Sequence, residues 1–212
     1  MRACCRIAIA AAMLALAPTL SAAPAMRVAL LIDTSAATAA SMVQIRTAVG
    51  AFLDSLPPEH EVLLVTTGRR AQVRVPPTSD RAKLKSNAAG LTSDSGPTAL
   101  MDALVEVDER FMRKASGRWP VFVIVTGDGS ENSKDTEEQG FNHWVTDIVK
   151  RGVEVNAVVL KSASIGLPDN IASMLVRATQ GHYSSMSPPA TTLPSTLTLL
   201  ADQLAADAGK RP

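Results

Sequence analysis

Four side chains that carry oxygen atoms follow apolar runs or turns along the sequence. Asp33 ends the first apolar run and Ser35 follows it, within VALLIDTSAATAA (28–40). Thr98 lies in SDSGPTALMDAL, and Asp128 follows the apolar run VFVIVTG. A carboxylate at the end of a buried strand is costly unless hydrogen-bond donors or a positive charge meet it. Hydroxyl and carboxylate oxygens suit hard cations, Mg²⁺ in particular, so these four residues form a candidate metal site.

The apolar runs that carry these residues are typical of strands buried on both faces. They are nearly continuous and rich in Val and Ile, and segments with helical spacing separate them. This alternation predicts an α/β fold with a doubly wound, mostly parallel sheet and helices on both faces. Side chains that do chemistry gather at the carboxyl ends of such strands, where the strand order reverses. The predicted strands are 27–33, 61–67, 121–127 and 153–160.

One segment predicts a different kind of strand. In RRAQVRVPPTS (69–79) apolar and polar residues alternate, and the run ends in Pro76 and Pro77, which a central strand does not tolerate. We therefore expect an antiparallel edge strand. Its basic residues, Arg69, Arg70 and Arg74, either bind anions or protect the edge against aggregation.

The loop before Thr98 predicts the start of a helix. Asp94 or Ser95 is a candidate N-cap, Gly96 suits a tight turn and Pro97 suits the first helical position. This arrangement would direct the Thr98 hydroxyl from the helix N-terminus into the same crevice as the two acids.

Residues 1–25 are typical of a cleaved export signal. Arg2 and Arg6 accompany an apolar stretch of about 11 residues, well below the roughly 20 needed to span a bilayer. Residues 26–208 then form a single domain, and 209–212 a frayed tail. We expect a periplasmic or secreted protein with no stable membrane anchor after signal cleavage.

Composition limits the remaining function classes. Cys4 and Cys5 both precede the expected cleavage point, so the mature chain has no thiol and no disulfide. Without Arg2 and Arg6 the formal charge changes from +1 to −1. This balance does not favour nucleic acid or an anionic membrane as a partner.

At the four candidate residues the sequence resembles the von Willebrand factor type A domain family. The metal-ion-dependent adhesion site of that family has D-x-S-x-S after the first strand, a Thr in a Gly-rich loop, and Asp-Gly after a later strand. Asp33 and Ser35 match the first motif, Thr98 the second, and Asp128 with Gly129 the third. The resemblance, over about 26–208, implies Mg²⁺-dependent binding of a partner protein through its exposed acidic side chain.

Two positions depart from the family pattern. Ala37 replaces the last hydroxyl of D-x-S-x-S, and losses around a metal commonly cost about 10- to 100-fold in affinity. Gly127 separates Thr126 from Asp128, where the family runs the hydroxyl residue straight into Asp-Gly. A glycine here could let the loop bulge and return Asp128 to the site.

Interpretations without a metal stay open from the sequence. Asp33 and Ser35 could form a turn that caps the following helix, in a metal-independent scaffold protein. The acid-rich stretch DGSENSKDTEEQG (128–140) is either a partner-facing rim or a solvated loop in which Thr136 and Gln139 form a capping box.

We expect no enzymatic activity. A phosphatase-type nucleophile at Asp33 would need a second acid two residues later, where Ser35 stands. The sequence has no G-x-S-x-G elbow and no glycine-rich nucleotide loop. A hydrolase of unrecognised type is the remaining alternative.

Overall fold

The computed structural model describes residues 24–162 and 166–211, so nearly all of the predicted export signal lies outside the described residues. Strands and helices alternate along these residues. A 3₁₀ turn precedes the first helix, and a π-helical turn follows the third. In chain order the elements are β1 (Met26–Ile32), the 3₁₀ turn (Ala36–Ser41), α1 (Met42–Ser55), β2 (Glu61–Thr66), β3 (Gln72–Thr78), α2 (Arg81–Ala89), α3 (Leu100–Val107), the π turn (Asp108–Met112), β4 (Trp119–Gly127), α4 (Glu138–Lys150), β5 (Glu154–Leu160), α5 (Leu167–Thr179), β6 (Tyr183–Met186) and α6 (Leu193–Ala208).

The six strands form one twisted sheet in the order β3-β2-β1-β4-β5-β6. Neighbouring strands are parallel, except that β3 runs antiparallel to β2 at the edge. The predicted doubly wound α/β sheet and its antiparallel edge strand are therefore confirmed. The strand order reverses between β1 and β4, so the strands that lead to Asp33 and Asp128 are neighbours, as predicted.

Helices cover both faces of the sheet. Val28 and Leu30 of β1 pack in the same apolar cluster as α1, α2 and α6, whereas Ala29 and Leu31 pack with α3, α4 and α5. Because both faces are covered, every residue from Val28 to Ile32 is fully buried. This burial explains why the strand sequences are continuous in apolar residues rather than alternating.

The helical run Ala36–Ser55 is long and apolar enough to cross a membrane, judged by length and composition alone. Of its most apolar 18-residue stretch, 44% is buried inside the protein. In the structure it lies against the sheet and α6. Ile45, Val49 and Phe52 are fully buried there, which accounts for its apolar composition.

Helix α2 was not predicted from the sequence. Its segment RAKLKSNAA buries only Leu84 and Ala88, which is too few for a clear apolar periodicity. A local signal does exist, because the Asp80 side chain accepts a hydrogen bond from the Lys83 amide and caps the helix.

One predicted helix start is wrong, and the capping box that the sequence left open as an alternative does not form. Helix α3 begins at Leu100 rather than Pro97. Helix α4 begins at Glu138 after Glu137, which makes no side-chain cap, so the predicted capping box of Thr136 and Gln139 does not form. The amides of residues 134–136 instead donate to the Asp102 carboxylate on α3, at 2.8 to 3.3 Å.

A fully buried carboxylate ties the end of α3 to α4. Asp108 Oδ2 accepts hydrogen bonds from Trp144 Nε1 at 3.0 Å and from Arg151 at 2.5 Å. Arg113 Nε lies 3.3 Å from the same oxygen. The buried charge is therefore met by two guanidinium groups and an indole N–H.

We expect Asp108→Ala to lower the free energy of unfolding by about 3 kcal/mol, because breaking a buried ion pair leaves its partners uncompensated. Urea denaturation followed by circular dichroism measures the change. Asp54→Ala is the control, since that exposed carboxylate pairs only with Lys85 among the described residues and should contribute about 0.5 kcal/mol or less. Equal losses in the two variants would contradict the role given to Asp108.

Candidate functional site

Three loops form a groove at the carboxyl edge of the sheet, beside the β1/β4 reversal. Backbone hydrogen bonds join the loops: the Ala36 amide donates to Gly96 O at 2.9 Å, the Thr98 amide to Ser130 O at 2.9 Å, and the Asn132 amide to Thr98 O at 2.8 Å. The groove has a volume of about 640 Å³. Its lining consists of Ser35, Ala36, Ala37, Ser95, Gly96, Pro97, Gly129, Ser130, Glu131 and Asn132.

The Asp33 carboxylate lies beneath this groove and is held by protein donors. Oδ1 accepts a hydrogen bond from the Ser35 amide at 2.7 Å. Oδ2 accepts from the Gly127 amide at 2.9 Å and from Thr126 Oγ1 at 3.1 Å. Burial raises the pKa of Asp33, while these hydrogen bonds oppose the rise. Within the described residues, the Asp33 carboxylate is therefore compensated by two amides and a hydroxyl and not by a positively charged side chain.

The two predicted hydroxyl ligands differ in what they contact. Ser35 is 2% exposed, and its Oγ makes no hydrogen bond of good geometry among the described residues, although it lies close enough to the Asp33 carboxylate to oppose the rise of that group's pKa. Thr98 Oγ1 donates to the Thr67 carbonyl oxygen at 2.5 Å and lies 3.1 Å from Thr67 Oγ1. Ser35 thus keeps an unused hydroxyl at the base of the groove, whereas Thr98 uses its own to tie the groove to the end of β2.

The Asp128 carboxylate points to a different loop. It accepts hydrogen bonds from the Ser162 amide at 2.6 Å and from Ser162 Oγ at 3.0 and 3.1 Å, on the side of β5. Successive side chains along a strand point to opposite faces. A side chain at Gly127 would point at Ala37, so Asp128, one residue later, points away from the loop that carries Ser35. The structure does not bring the Asp128 carboxylate to the other three residues.

The Ala37 methyl group fills the space between two glycines. A Cβ atom added to Gly127 would lie 2.6 Å from Ala37 Cβ, and one added to Gly129 would lie 2.7 Å from it. Both distances are far below van der Waals contact. The two departures from the family pattern therefore depend on each other, because the Ala37 methyl group fits only where residue 127 has no side chain. We call this pair the Ala37 packing unit.

In this arrangement the donor set is two oxygen ligands short of the family pattern, because Asp128 is held by Ser162 and Ala37 supplies no oxygen. Mg²⁺ requires six oxygen ligands in a near-ideal octahedron, several of which are usually waters. The protein oxygens left to face a cation are those of Asp33, Ser35 and Thr98, which keep lone pairs beside their hydrogen bonds. Within residues 24–162 and 166–211, no group of three or more His, Cys, Asp or Glu side chains is placed to hold a metal ion.

Sequence reasoning missed Glu131, which closes the groove at the start of α3. Its Oε2 accepts a hydrogen bond from the Leu100 amide at 3.0 Å, and its Oε1 accepts from the Ser133 amide at 2.9 Å. Burial raises the pKa of this carboxyl. A carboxylate from a distant loop thus caps α3, and no local motif around Leu100 identifies it.

The comparisons with known proteins agree with this fold. The family model described as von Willebrand factor type A domain matches residues 28–131, from β1 to the groove loop after β4. Over these residues the chain belongs to the von Willebrand factor type A domain family, whose members are protein-interaction modules. No curated protein is similar enough in sequence to be matched.

Solved structures of the same fold are distant in sequence. A von Willebrand factor type A protein from Catenulispora acidiphila has 16% identity and a TM-score of 0.69, covering 84% of this chain, which spans 42% of that one. The von Willebrand factor domain of the type V pili tip protein Mfa5 from Porphyromonas gingivalis has 10% identity and a TM-score of 0.70, covering 88% and 97%. Manganese-loaded TRAP protein from Plasmodium vivax has 14% identity and a TM-score of 0.60, covering 82% and 74%.

The Ala37 packing unit predicts a coupled effect of two substitutions. Gly127→Ala should lower the free energy of unfolding by about 1–3 kcal/mol, because its methyl group overpacks against Ala37. Adding Ala37→Gly should recover much of this loss, giving a clear coupling energy in a double-mutant cycle measured by urea denaturation.

Gly50→Ala is the matched control for this cycle. Nothing lies within 4 Å of a Cβ added at Gly50 in α1, so we expect stabilisation by about 0.5–1 kcal/mol. Additive effects of Gly127→Ala and Ala37→Gly would contradict the proposed packing unit.

Proposed function

We propose that this chain is an exported protein-binding module that takes its partner in the groove of the three loops without needing a divalent cation. The observation that carries the proposal is the groove itself, which lies at the strand-order reversal, where open α/β sheets bind their ligands. Family membership supports a protein as the partner. The apparent signal sequence supports export to the periplasm or the exterior.

Three contacts support binding without a metal. The Asp33 carboxylate has three protein donors, the Ala37 methyl group takes the place of a hydroxyl ligand, and Asp128 is engaged by Ser162. The Ala37 and Asp128 contacts each remove an oxygen that the family site would offer to a cation, and the donors to Asp33 occupy three of the roughly four lone-pair sites of its carboxylate. The lack of recognisable catalytic motifs supports a binding role rather than an enzymatic one.

The second candidate is the Mg²⁺-dependent bridging that the family resemblance implies. The buried and unpartnered Ser35 hydroxyl favours it, and the fold is shared with a manganese-loaded protein. In that candidate Asp33, Ser35, Thr98 and Asp128 hold the ion, and a partner's acidic side chain completes its coordination. Thr98 would coordinate the ion through a lone pair while still donating to the Thr67 carbonyl oxygen, whereas Asp128 would have to release Ser162.

A thermal denaturation series distinguishes the two candidates. We expect the Tm of the mature protein to be the same in excess Mg²⁺, Mn²⁺ or EDTA, because a ligand raises the Tm only if it binds the folded state. A variant that combines Ala37→Ser with deletion of Gly127 restores both family motifs, and its Tm should rise in Mn²⁺. If the Tm of the unaltered protein rises in Mg²⁺ and Ser35→Ala abolishes the rise, the metal-dependent candidate is correct.

Partner capture tests the groove. We expect the immobilised mature protein to retain the same exported proteins of its source cells in EDTA and in Mg²⁺. Ser130→Tyr should prevent this capture, because Ser130 is exposed and lines the groove. Ser86→Tyr, at an exposed position on α2, is the matched control and should bind normally. If Ser130→Tyr captures the same proteins as Ser86→Tyr, the groove is not the binding site.

A further inference from the structure

Three arginines of the β2–β3 hairpin surround a second pocket beside the groove. Arg69 and Arg70 follow the Gly68 turn, and Arg74 lies on the edge strand β3; all three are exposed. They line a pocket of about 360 Å³ together with polar residues and one acid, Asp94. The pocket therefore carries an excess of positive charge, in a chain whose overall charge is close to zero.

These guanidinium groups have no partners among the described residues. No side-chain hydrogen bond or ion pair is made by Arg69, Arg70 or Arg74 in that part of the chain. Every other arginine there donates from its side chain to a carboxylate, a carbonyl or a hydroxyl. Those arginines are Arg27, Arg46, Arg81, Arg110, Arg113, Arg118, Arg151, Arg177 and Arg211.

The acid in the pocket forms no ion pair with the arginines within the described part of the chain. Asp94 Oδ2 accepts a hydrogen bond from the Arg69 backbone amide at 2.8 Å, and Oδ1 accepts from the Gly96 amide at 3.0 Å. A Cβ atom added to Gly68 would lie 1.8 Å from Asp94 Oδ2, so this glycine lets the carboxylate reach the hairpin backbone. Asp94 thereby orients the turn that presents the arginines.

Arg69 connects this pocket to the groove. A Cβ atom added to Gly96 would lie 2.4 Å from Arg69 Cγ and 2.6 Å from its Nε, so the side chain lies across Gly96. Gly96 is itself part of the groove wall. A ligand in the groove that extends over this glycine reaches the guanidinium group of Arg69.

We propose that Arg69, Arg70 and Arg74 bind an acidic segment of the partner protein, whose carboxylates pair with guanidinium groups. Arginine holds a carboxylate through two parallel hydrogen bonds, which makes it well suited to this role without a metal. The inference rests on the proposed function for the location of the partner, but the binding of acidic peptide can be measured independently.

The surroundings favour a short acidic peptide over a longer polyanion. On its other side the hairpin borders a second pocket in which Asp102, Glu106 and Asp135 accompany Arg69, Arg70 and Lys134. The three acids and three bases balance, so this pocket does not continue the positive charge that a long phosphate backbone would need beyond the first pocket. A few carboxylates confined to the arginine pocket need no such continuation.

Fluorescence anisotropy with labelled hexaglutamate tests the proposal on the mature protein. We expect binding that labelled hexaglutamine does not show. Changing Arg69, Arg70 and Arg74 together to Gln should weaken it by at least about 10-fold. The control variant changes Lys83, Lys114 and Lys150 to Gln, which removes the same charge at exposed positions and should alter the Kd by less than about 3-fold. Arg→Lys changes at the three positions should give an intermediate loss, because lysine keeps the charge but not the paired geometry.

Three outcomes would overturn the proposal: no binding of hexaglutamate, equal weakening by the arginine and lysine variants, or tighter arginine-dependent binding of single-stranded DNA or of vesicles containing phosphatidylglycerol. Circular dichroism confirms folding of each variant. Failure of the groove itself is distinguished by partner capture with Ser130→Tyr, a substitution that leaves the arginine pocket intact.

Discussion

The buried Asp33 carboxylate is the constraint on which the rest of the site depends. A charge at the end of a fully buried strand must be met by compensating groups, or its desolvation would destabilise the fold. Here the Ser35 amide, the Gly127 amide and the Thr126 hydroxyl meet it, so the loop after β1 is fixed against the end of β4. The carboxylate therefore links these two segments through hydrogen bonds at the strand-order reversal.

The path of the chain at the end of β4 explains why the second acid, Asp128, does not lie beside Asp33. Side chains alternate along an extended chain, so a one-residue shift moves a side chain to the opposite face. Gly127 makes that shift, and Asp128 is bound by Ser162 instead of facing Asp33. The Ala37 methyl group then occupies the space beside Gly127 and Gly129. Ala37 and Gly127 thus form one structural departure from the family's adhesion-site pattern.

The sequence predicted the fold better than the site. Strand boundaries followed from continuous apolar runs, and the edge position of β3 followed from Pro76 and Pro77, because a proline cannot donate a hydrogen bond in a sheet interior. Helix α2 was missed since only Leu84 and Ala88 are buried in it. The start of α3 was misplaced because its cap, Glu131, comes from a loop about thirty residues later, which local patterns do not register.

The sequence could not predict which way the Asp128 side chain points. The motif residues were found by type and order, but the direction of the Asp128 side chain depends on how the chain turns at Gly127. A flexible residue there is compatible with either a bulge that returns the acid or a shift that removes it. Only the contacts with Ala37 and Ser162 distinguish these two geometries.

Binding of a partner in the groove without a metal at Asp33 and Ser35 can be tested with a crystal of the mature protein soaked in Mn²⁺ and measured for anomalous scattering. We expect no anomalous peak beside Ser35 Oγ, with Asp128 still bonded to Ser162. A peak at a coordination distance of about 2.1 Å from the Ser35 and Thr98 hydroxyl oxygens would show instead that the groove holds a metal ion.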